Sequence, residues 1–373
     1  MRKMKLIALK DVCKINMGQS PNSSSYNDYG DGMPFFQGNA DFGERYPITR
    51  VWCNTPTKIA QAEDILISVR APIGALNYAK EECCIGRGIA AITPDRNKVS
   101  QDFIYWALKG KKAELNDKGN GSTFKAISRK ILEETMIPDI NFEQQHKCAE
   151  NLEKIYGIIQ NRRKELLALD DLIKARFVEM FGDPVSNSRG LPEATLPELG
   201  EFGRGVSKHR PRNDPKLLGG KYPLIQTGDV ASSDLYITSY TGTYSDLGLA
   251  QSKMWDEGTL CITIAANIAK TAILGFDACF PDSVVGFRAN EKTNNIYIHY
   301  WFSFFQRILE AQAPESAQKN INLKSLSELR VIYPTKEEQD AFAAFVAEVD
   351  KSKLMFQKLH KKLNILQKKA GDI

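Results

Sequence analysis

Apolar residues recur at alternating steps of three and four in two long stretches of the chain, residues 141–182 and 336–373. Such steps average about 3.5 residues, which is the period of a helix that packs lengthwise against another helix. Asn141 with Gln144, and Thr335 with Glu338, are N-cap signals at the two starts. We therefore predict two long helices. Their apolar stripes are Leu152, Ile155, Ile159, Leu166, Leu169, Ile173 and Met180 in the first, and Phe342, Phe345, Val349, Phe356, Leu359, Leu363 and Leu366 in the second.

A single helix cannot bury such a stripe by itself. We expect the two helices to pack on each other as a coiled coil, because both stripes keep the heptad period. The alternative is that each helix packs on its own globular segment. An antiparallel arrangement is favoured, since each globular segment then meets the helix pair in the same way.

The remaining segments, residues 1–140 and 183–335, have a different pattern. Short runs rich in β-branched residues occur at 65–69, 89–92 and 259–264, separated by Gly, Pro, Asn and Asp, which is typical of strands joined by turns. Aromatic-rich stretches at 101–112 and 296–311 indicate helices. The predicted fold class is α+β, with two similar globular domains separated by two long helices that form an antiparallel coiled coil.

The two halves of the chain carry the same landmarks in the same order, which indicates a pseudo-twofold internal repeat. Residues 9–18 are matched 187 residues later by residues 196–205, and Gln37 is matched by Gln226 at an offset of 189. The offset drifts only slightly along the chain, as loop insertions would produce. Further matches join Cys84 to Cys279, residues 122–127 to 317–321, Pro138 to Pro334 and Gly182 to Gly371.

The composition is typical of a globular protein, with 42% hydrophobic and 25% charged residues among 373. It excludes a disordered chain, a collagen-like fibre and a small disulfide scaffold. No apolar run approaches the roughly 20 residues of a membrane helix, and the apolar stretch at residues 6–9 is too short for a signal peptide, so a cytoplasmic protein is expected. Seven scattered cysteines favour buried thiols over a metal finger. The net charge of +5 permits a nucleic-acid partner without indicating one.

Motifs of catalytic chemistry are missing from the sequence. It contains no phosphate-binding loop, no N-P-P-[YF] or D-P-P-[YF] methylation motif and no G-x-S-x-G nucleophile elbow. Its four histidines are not at metal-ligand spacing from one another. The chain is long enough to hold a catalytic domain, so we infer binding rather than catalysis. We expect no metal site and no cofactor bound by this chain.

Polar and basic residues of the two globular segments are candidates for reading DNA. Glutamine and asparagine can pair bidentately with adenine and arginine with guanine, while cations hold phosphates. For any single residue, a solvated surface charge or a turn residue is the alternative explanation, and only their recurrence in both halves makes them candidates. They are Gln19, Ser20, Gln37, Asn39, Arg70, Arg87 and Lys125 in the first half, and Lys208, Arg210, Gln226, Thr227, Lys270 and Lys319 in the second.

These features together resemble the specificity (S) subunits of type I restriction-modification systems, over essentially the whole chain. The resemblance is carried by the alternation of two globular segments with two similar long helices, by the Glu-Gln-Gln after Pro138, by the related run from Pro334 to Gln339, and by Met-Phe-Gly-Asp-Pro at residues 180–184. The stretch at residues 64–74, with its Arg-x-Pro, is also similar to this family. The second half departs from the pattern, since residues 257–264 lack the Arg-x-Pro and the chain continues from Gly371 and Asp372 to Ile373 instead of proline.

The resemblance implies a non-catalytic subunit of a methyltransferase and endonuclease complex. Residues 1–140 and 183–335 would be target recognition domains, each reading one half of an asymmetric bipartite target in double-stranded DNA. Residues 141–182 and 336–373 would be the central and C-terminal conserved helices, whose coiled coil sets the spacer length and docks two adenine-N6 methyltransferase subunits.

The same resemblance implies restriction/translocase subunits as further partners and no membrane. S-adenosylmethionine, ATP and Mg²⁺ would then be bound by the partner subunits. Two alternatives stay open. One is a coiled-coil scaffold that binds proteins without reading DNA, and the other is an enzyme with its own nuclease or methyltransferase site.

Overall fold

The computed structural model describes the backbone of residues 5–119, 125–312 and 321–371, together with their side chains except those of 307, 310–312 and 355–371. Packing divides the chain into two compact units. One contains the residues up to 164 together with those from 356 onward, and the other contains residues 165–355. This division cuts both long helices, so the predicted boundaries at 140, 182 and 335 stay predictions.

The first half of the chain forms an α+β domain followed by a long helix. Its strands are β1 (Leu6–Ala8), β2 (Cys13–Met17), β3 (Tyr26–Asn27), β4 (Met33–Phe36), β5 (Trp52–Cys53), β6 (Ile59–Ala60), β7 (Ile65–Ser68), β8 (Leu76–Tyr78), β9 (Cys83–Ile85), β10 (Ile89–Pro94) and β11 (Met136–Pro138). Its helices are α1 (Leu9–Val12), α2 (Gln101–Gly110), α3 (Lys112–Asp117), α4 (Arg129–Glu133) and α5 (Phe142–Phe181). One sheet has the order β2-β10-β7-β8, a second has the order β3-β5-β4-β9-β6, and β1 pairs with β11.

Strand β7 is buried on both faces, which explains its uninterrupted apolar run. Ile65 and Ile67 point into the core that includes Trp106 of α2. Leu66, on the opposite face, belongs to a separate cluster with Phe36 of the second sheet. Because successive side chains of a strand alternate between faces, one strand contributes to two cores.

The second half repeats this plan. Its strands are β12 (Glu193–Ala194), β13 (Gly200–Arg204), β14 (Leu218–Leu224), β15 (Tyr236–Ile237), β16 (Gly242–Tyr244), β17 (Met254–Trp255), β18 (Leu260–Thr263), β19 (Thr271–Leu274), β20 (Ala278–Cys279), β21 (Val284–Ala289) and β22 (Val331–Ile332). Its helices are α6 (Leu196–Leu199), α7 (Thr227–Ala231), α8 (Asp246–Ala250), α9 (Asn295–Gln312), α10 (Leu323–Ser327) and α11 (Lys336–Gly371). The sheet orders are β13-β21-β18-β19-β15, β16-β14-β20-β17 and β12-β22.

The internal repeat predicted from the sequence is confirmed by matched sheet orders and matched backbone hydrogen bonds. The sheet β2-β10-β7-β8 corresponds to β13-β21-β18-β19, and β4 runs parallel to β9 as β14 runs parallel to β20. The strands expected at 65–69, 89–92 and 259–264 are β7, β10 and β18. Three pairs of backbone hydrogen bonds match. The Gly18 N–H donates to the Ile89 carbonyl as the Gly205 N–H donates to the Val284 carbonyl, at 2.9 Å each, and the Val69 N–H donates to the Gly88 carbonyl (2.9 Å) as the Ile264 N–H donates to the Ser283 carbonyl (3.0 Å). In the third pair, the Ile127 N–H donates to the Val69 carbonyl as the Ile321 N–H donates to the Ile264 carbonyl, at 2.9 Å each.

Both long helices begin at the predicted caps. The Oδ1 atom of Asn141 accepts a hydrogen bond from the Gln144 N–H at 2.9 Å. At the start of α11, the N–H and the hydroxyl of Thr335 both donate to Glu338 Oε2, at 3.1 and 2.9 Å. Each cap satisfies backbone groups that the first turn of a helix leaves without partners.

A buried glutamine then ties α5 to the loop before α2. Gln145 is only 3% exposed. Its Oε1 accepts from the Ser100 N–H at 2.7 Å, and its Nε2 donates to the Ile140 carbonyl at 2.8 Å. The Glu-Gln-Gln motif therefore has a structural role, because a buried amide with its hydrogen bonds made holds the helix against the domain.

Gln339 of α11 makes the corresponding contact in the second half and is fully buried. Its Oε1 accepts from the Thr293 hydroxyl at 2.7 Å and from the Asn294 N–H at 3.3 Å. Its Nε2 donates to the carbonyls of Lys292, at 3.0 Å, and of Pro334, at 2.9 Å. The loop before α9 thus surrounds one side chain of the long helix.

Within the second unit, the last part of α5 and the first part of α11 pack on each other in antiparallel directions. Asp170 of α5 meets Lys353 of α11 at 2.5 Å. Further along α5, Phe177 and Phe181 contact Phe342 near the start of α11, with ring centroids 5.4 and 5.7 Å apart. Later residues of one helix contact earlier residues of the other, so the antiparallel pairing is confirmed for residues 165–181 and 336–354.

The buried face of this helix pair differs from the predicted stripe. Phe177 and Phe181 are 0% and 1% exposed, whereas Met180, the predicted interface residue, is half-buried. Phe177 also stacks on Tyr297 of α9 with ring centroids 5.3 Å apart, so the helix turns this face toward the domain as well as toward α11. Mutual pairing and packing on the domain therefore occur together in one shared core. Of the other stripe residues here, Ile173, Phe342 and Val349 are buried, and Leu166, Leu169 and Phe345 are half-buried.

The part of α5 in the first unit packs on the first domain. Leu152 is 5% exposed and belongs to the same core as Trp106. Ile159 is also buried, and Ile155 is half-buried. The predicted stripe residues Phe356, Leu359, Leu363 and Leu366 lie outside the described side chains.

Helix α5 ends at a glycine and is capped by an arginine. Gly182 has φ of +77°, a left-handed conformation that glycine adopts at little cost and that stops a helix. Arg189 donates from Nη1 to the Met180 carbonyl at 2.6 Å and from Nη2 to the Glu179 carbonyl at 2.7 Å. These bonds satisfy carbonyls of the last turn, so the run at residues 180–184 is a helix stop.

Candidate nucleic-acid interface

Polar residues of the first domain converge where β4 and β9 end side by side. The parallel pairing of these strands places Gln37, which follows β4, beside the loop that follows β9. The Gly88 N–H donates to the Gln37 carbonyl at 3.1 Å, and the Arg87 N–H donates to Ser20 Oγ at 3.3 Å. The Gln19 N–H donates to the carbonyl of Ile85, the last residue of β9, at 3.0 Å. Four predicted residues from three separate segments of the chain thus lie at one edge.

Arg70 and Lys125 lie at the same edge, beyond the end of β7. Arg70 forms an isolated β-bridge with Ala126, the neighbour of Lys125. The preceding residue, Val69, donates its N–H to the Gly88 carbonyl at 2.9 Å. Both cationic side chains are exposed. Positive charge and amide side chains therefore share one surface of this domain.

A carboxylate fixes the backbone at the matched glutamines of both domains. Asp41 Oδ2 accepts from the Gln37 N–H at 2.7 Å, and the turn between them contains Asn39, which is half-buried. Asp229 Oδ2 accepts from the Gln226 N–H at 2.8 Å in the second domain. Gln37 and Gln226 are both exposed. A rigid backbone under an exposed amide is the arrangement that base recognition needs, because little conformational entropy is lost on binding.

The other candidates of the second domain are more scattered. Thr227 follows Gln226 as the first residue of α7 and is half-buried. Lys208 is exposed, and Lys270 lies in the turn between β18 and β19, where its N–H donates to Thr263 Oγ1 at 3.0 Å. Their contacts with DNA stay predictions. Lys319 lies outside the described residues.

The guanidinium group of Arg210 makes contacts within its own loop, and its contact with bases or phosphates stays a prediction. Its Nη1 donates to the carbonyls of Ser207, at 2.6 Å, and of His209, at 2.8 Å. Its Nη2 lies 3.5 Å from Asp282, and Arg212 contacts the same carboxylate at 2.5 Å. The two guanidinium groups therefore hold this loop in place.

The two domains carry opposite charges at one matched position. Asp282 follows the strand that runs parallel to β14, as Arg87 follows the strand that runs parallel to β4. Arg87 is exposed, whereas Asp282 is surrounded by the loop of Arg210 and Arg212. The two surfaces are built on the same pair of parallel strands and differ in charge at this position.

A small recess in the second domain involves two residues that the sequence analysis did not select. Ser207 is buried and Asn213 is exposed, and both line a cavity of about 180 Å³ together with Gln226 and Thr227. Ser207 follows Gly205 as Ser20 follows Gly18, so the repeat offset of 187 was a signal that could have found it. Asn213 had no such signal.

In residues 5–119, 125–312 and 321–354, no group of three or more His, Cys, Asp or Glu side chains is placed to hold a metal ion. Burial raises the pKa of the thiols of Cys13 and Cys83 to about 12, so they are protonated at neutral pH and are poor nucleophiles. The exposed amides and cations suit recognition of a polyanion with hydrogen-bonding bases.

The comparison with protein families identifies the family of this chain. A model described as "Type I restriction modification DNA specificity domain" matches residues 1–168 and again residues 193–367. The chain belongs to this family. The two matches coincide with the repeat seen in the sheets, and the family's role is recognition of DNA sequence in restriction-modification complexes. None of the helices in the described segments is long and apolar enough to cross a membrane.

Curated relatives carry the same family name. The chain is 47% identical to the MjaX specificity subunit of Methanocaldococcus jannaschii over 152 residues, which are 41% of this chain and 36% of that protein. It is 27% identical to the MjaIX specificity subunit of the same organism over 186 residues, or 47% of this chain and 43% of that protein. The matched parts thus span less than half of these two relatives. The EcoBI specificity subunit of Escherichia coli is 20% identical over 371 residues, covering 89% of this chain and 76% of that protein.

Solved S-subunit structures share the fold. The S subunit of M. genitalium aligns with all of this chain and 96% of its own, with a TM-score of 0.57 and 14% identity. A chain from a structure on complex assembly and conformational transition of the type I R-M system aligns with all of this chain and 97% of its own, with a TM-score of 0.59 and 16% identity. At these identities the likeness establishes the specificity-subunit fold alone.

Proposed function

We propose that this chain is the non-catalytic DNA-recognition and assembly subunit of a type I restriction-modification complex. The observation that carries the proposal is the pair of matched surfaces at the ends of β4 and β14. Each surface presents an exposed glutamine, Gln37 or Gln226, on a backbone fixed by a carboxylate, and each has cations nearby. Amide side chains can read bases, and cations hold the phosphates around them.

Each globular domain reads one half of a bipartite target in double-stranded DNA. The two halves of the target differ because the surfaces differ at Arg87 and Asp282. The antiparallel helices separate the readers and set the length of the unread spacer, since the helical repeat of DNA makes both distance and rotational phase decisive. The function is carried out in the cytoplasm.

The helix pair also docks two adenine-N6 methyltransferase subunits, and restriction/translocase subunits complete the complex. S-adenosylmethionine, ATP and Mg²⁺ are bound by these partners rather than by this chain. Support comes from the absence of catalytic motifs in the sequence and from membership of the specificity family. Purified chain incubated with DNA, S-adenosylmethionine and Mg²⁺ is expected to give no methylation or cleavage, whereas turnover by the chain alone would contradict this assignment.

A methylome tests the proposal directly. The chain is co-expressed with the methyltransferase subunit in a methylation-free host, and N6-methyladenine is mapped by single-molecule sequencing. We expect a split, asymmetric motif with a fixed spacer. A complex that co-purifies but neither methylates nor binds DNA in a salt-dependent way would instead support a protein-binding scaffold.

The matched glutamines provide a paired test of the one-domain, one-half assignment. Gln37→Ala is expected to relax base preference in one half of the motif, and Gln226→Ala in the other half only. Each variant is the control for the other, because they occupy equivalent positions. If either variant changed both halves, the assignment would be wrong.

The spacer role is tested by removing one heptad from each long helix. The shortened chain is expected to recognise the same two half-sites with a changed spacer, or to lose methylation. New half-site sequences after this deletion would refute the role of the helices as a spacer.

A further inference from the structure

Lys109, near the end of α2, is held among aromatic rings in the first unit. Its Nζ atom lies 3.9 Å from the ring centroid of Tyr156, 4.8 Å from that of Trp106 and 5.3 Å from that of Tyr105. In the described part of the chain, no carboxylate lies within ion-pair distance of this amine, and Glu153 acts on it only from farther away. The amine therefore packs against ring faces without the close counter-charge that a buried cation needs.

The charges around Lys109 are mainly positive. Arg45 lies over the same three rings, with its Cζ between 4.8 and 5.9 Å from their centroids, and it forms the ion pair with Glu153. The charges of Lys112 in α3 and Arg163 in α5 also act on the amine. Burial is the main cause and Arg45 the second cause that lower the pKa of Lys109 to about 8.

This amine is still within reach of a small molecule. Lys109 is half-buried, and its Nζ is not among the atoms of the described side chains that are both unpaired and closed to solvent. At pH 7.5, an amine with a pKa near 8 is uncharged in about a quarter of the molecules, against about one in a thousand for a lysine with an ordinary pKa. An uncharged lysine amine in an apolar site beside another cation is an activated nucleophile.

The second unit has no amine at the matched position. The offset of 194 residues that matches Gln145 with Gln339 also matches Lys109 with Ser303. The Ser303 hydroxyl donates to the Tyr300 carbonyl of its own helix at 2.6 Å. The fold that the two halves share therefore does not require a lysine here.

We propose that Lys109 is a site of Nε-acylation by small acyl phosphates. The uncharged amine attacks the acyl carbon, so an N–C bond forms while the bond from that carbon to the phosphate oxygen breaks. The phosphate leaves with the bonding electron pair and takes up the proton that the nitrogen loses, which gives an amide and inorganic phosphate. The positive charges of Arg45, Lys112 and Arg163 attract an anionic donor. This modification site is independent of the proposed function.

The test treats the full-length chain with acetyl phosphate and measures the acetylation rate of each lysine by mass spectrometry of peptides. We expect Lys109 to react at least about tenfold faster than the exposed Lys14 at pH 7.5, with a rate that stops rising near pH 9. Chain unfolded in urea is the control, in which the two rates should become similar. A folded-state rate no greater than that of Lys14, or one that still rises about tenfold between pH 9 and pH 10, would overturn the proposal.

A variant separates activation by the rings from simple access. Tyr156→Ser admits water to the amine, so acetylation of Lys109 at pH 7.5 should fall several-fold although the amine becomes more exposed. Tyr29→Ser is the control, because Tyr29 is 79% exposed, and it should leave the rate unchanged. Circular dichroism checks that both variants are folded. An equal or faster rate in folded Tyr156→Ser would show that the rings do not activate the amine.

The class of donor is tested with a neutral ester, p-nitrophenyl acetate, at the same pH. The preference for Lys109 over Lys14 should be smaller with this ester, because it carries no phosphate for the surrounding cations to attract. An equal or larger preference with the ester would refute the assignment to acyl phosphates.

Discussion

Replacement of Gln339 by alanine is expected to destabilise the second unit by about 4 kcal/mol. The side chain is fully buried and makes four hydrogen bonds with the loop before α9 and with the start of its own helix. A hydrogen bond contributes about 1 kcal/mol net to stability, so the four together give about 4 kcal/mol. The alanine variant also leaves the Thr293 hydroxyl without this acceptor.

Gln145 allows an internal comparison, because it occupies the matched position of the first unit and its side chain makes two hydrogen bonds instead of four. Gln145→Ala is expected to cost about 2 kcal/mol in the first unit. Its neighbour Gln144 is exposed, and Gln144→Ala is the matched control, with a change within about 0.5 kcal/mol.

The assay is urea unfolding followed by circular dichroism, with hydrogen exchange measured by mass spectrometry on peptides from α2 and α9. Urea unfolding gives the loss in the free energy of unfolding, and hydrogen exchange shows which unit opens. Gln339→Ala is expected to raise exchange in α9, and Gln145→Ala in α2. The reasoning would be refuted by a Gln339→Ala midpoint equal to that of Gln144→Ala, or by a larger loss for Gln145→Ala than for Gln339→Ala.

Three further predictions concern single residues. Burial, with Lys353 nearby, lowers the pKa of His299 to about 4, whereas the unfolded state titrates near 6.5. Between these pH values the unfolded state binds more protons, so the free energy of unfolding should fall as the pH drops from about 6.5 to about 4. The His299→Leu variant should flatten this pH dependence of the urea midpoint. Gly182→Ala should cost about 1–2 kcal/mol, because φ is +77° and a Cβ atom would lie 2.9 Å from Arg189 Cγ; a variant as stable as wild type in urea would contradict this. Phe177→Ala should cost about 3–5 kcal/mol by the same measurement, since the ring is fully buried among four other aromatic rings, and a loss below about 1 kcal/mol would show that the shared core is wrongly described.

Local signals in the sequence predicted local structure correctly. The caps at Asn141 and Thr335 and the strands β7, β10 and β18 formed where expected, because each depends on residues only a few positions apart. The repeat was also recoverable, since its evidence is order and spacing. The predicted stripe of α5 left out Phe177 and Phe181, because a heptad period describes packing on one neighbour and this segment has two.

The candidate site was harder to predict because it depends on contacts between distant parts of the chain. Gln37 and Arg87 were selected for their chemistry, and only the parallel pairing of β4 and β9 places them together. The contact of Arg210 with Asp282 could not be predicted, because the two residues lie far apart in the sequence. The hydrogen bonds of Gln339 to residues 292–294 were unpredictable for the same reason.

The hold on Gln339 has a consequence for how such a protein can change over generations. Three of the four groups that bind its amide belong to the main chain, and Thr293 alone contributes a side chain. Main-chain groups are chemically the same in every sequence that keeps the shape of the loop. Surface side chains of the globular domain can therefore change without altering these hydrogen bonds, as long as the loop at residues 292–294 keeps its shape.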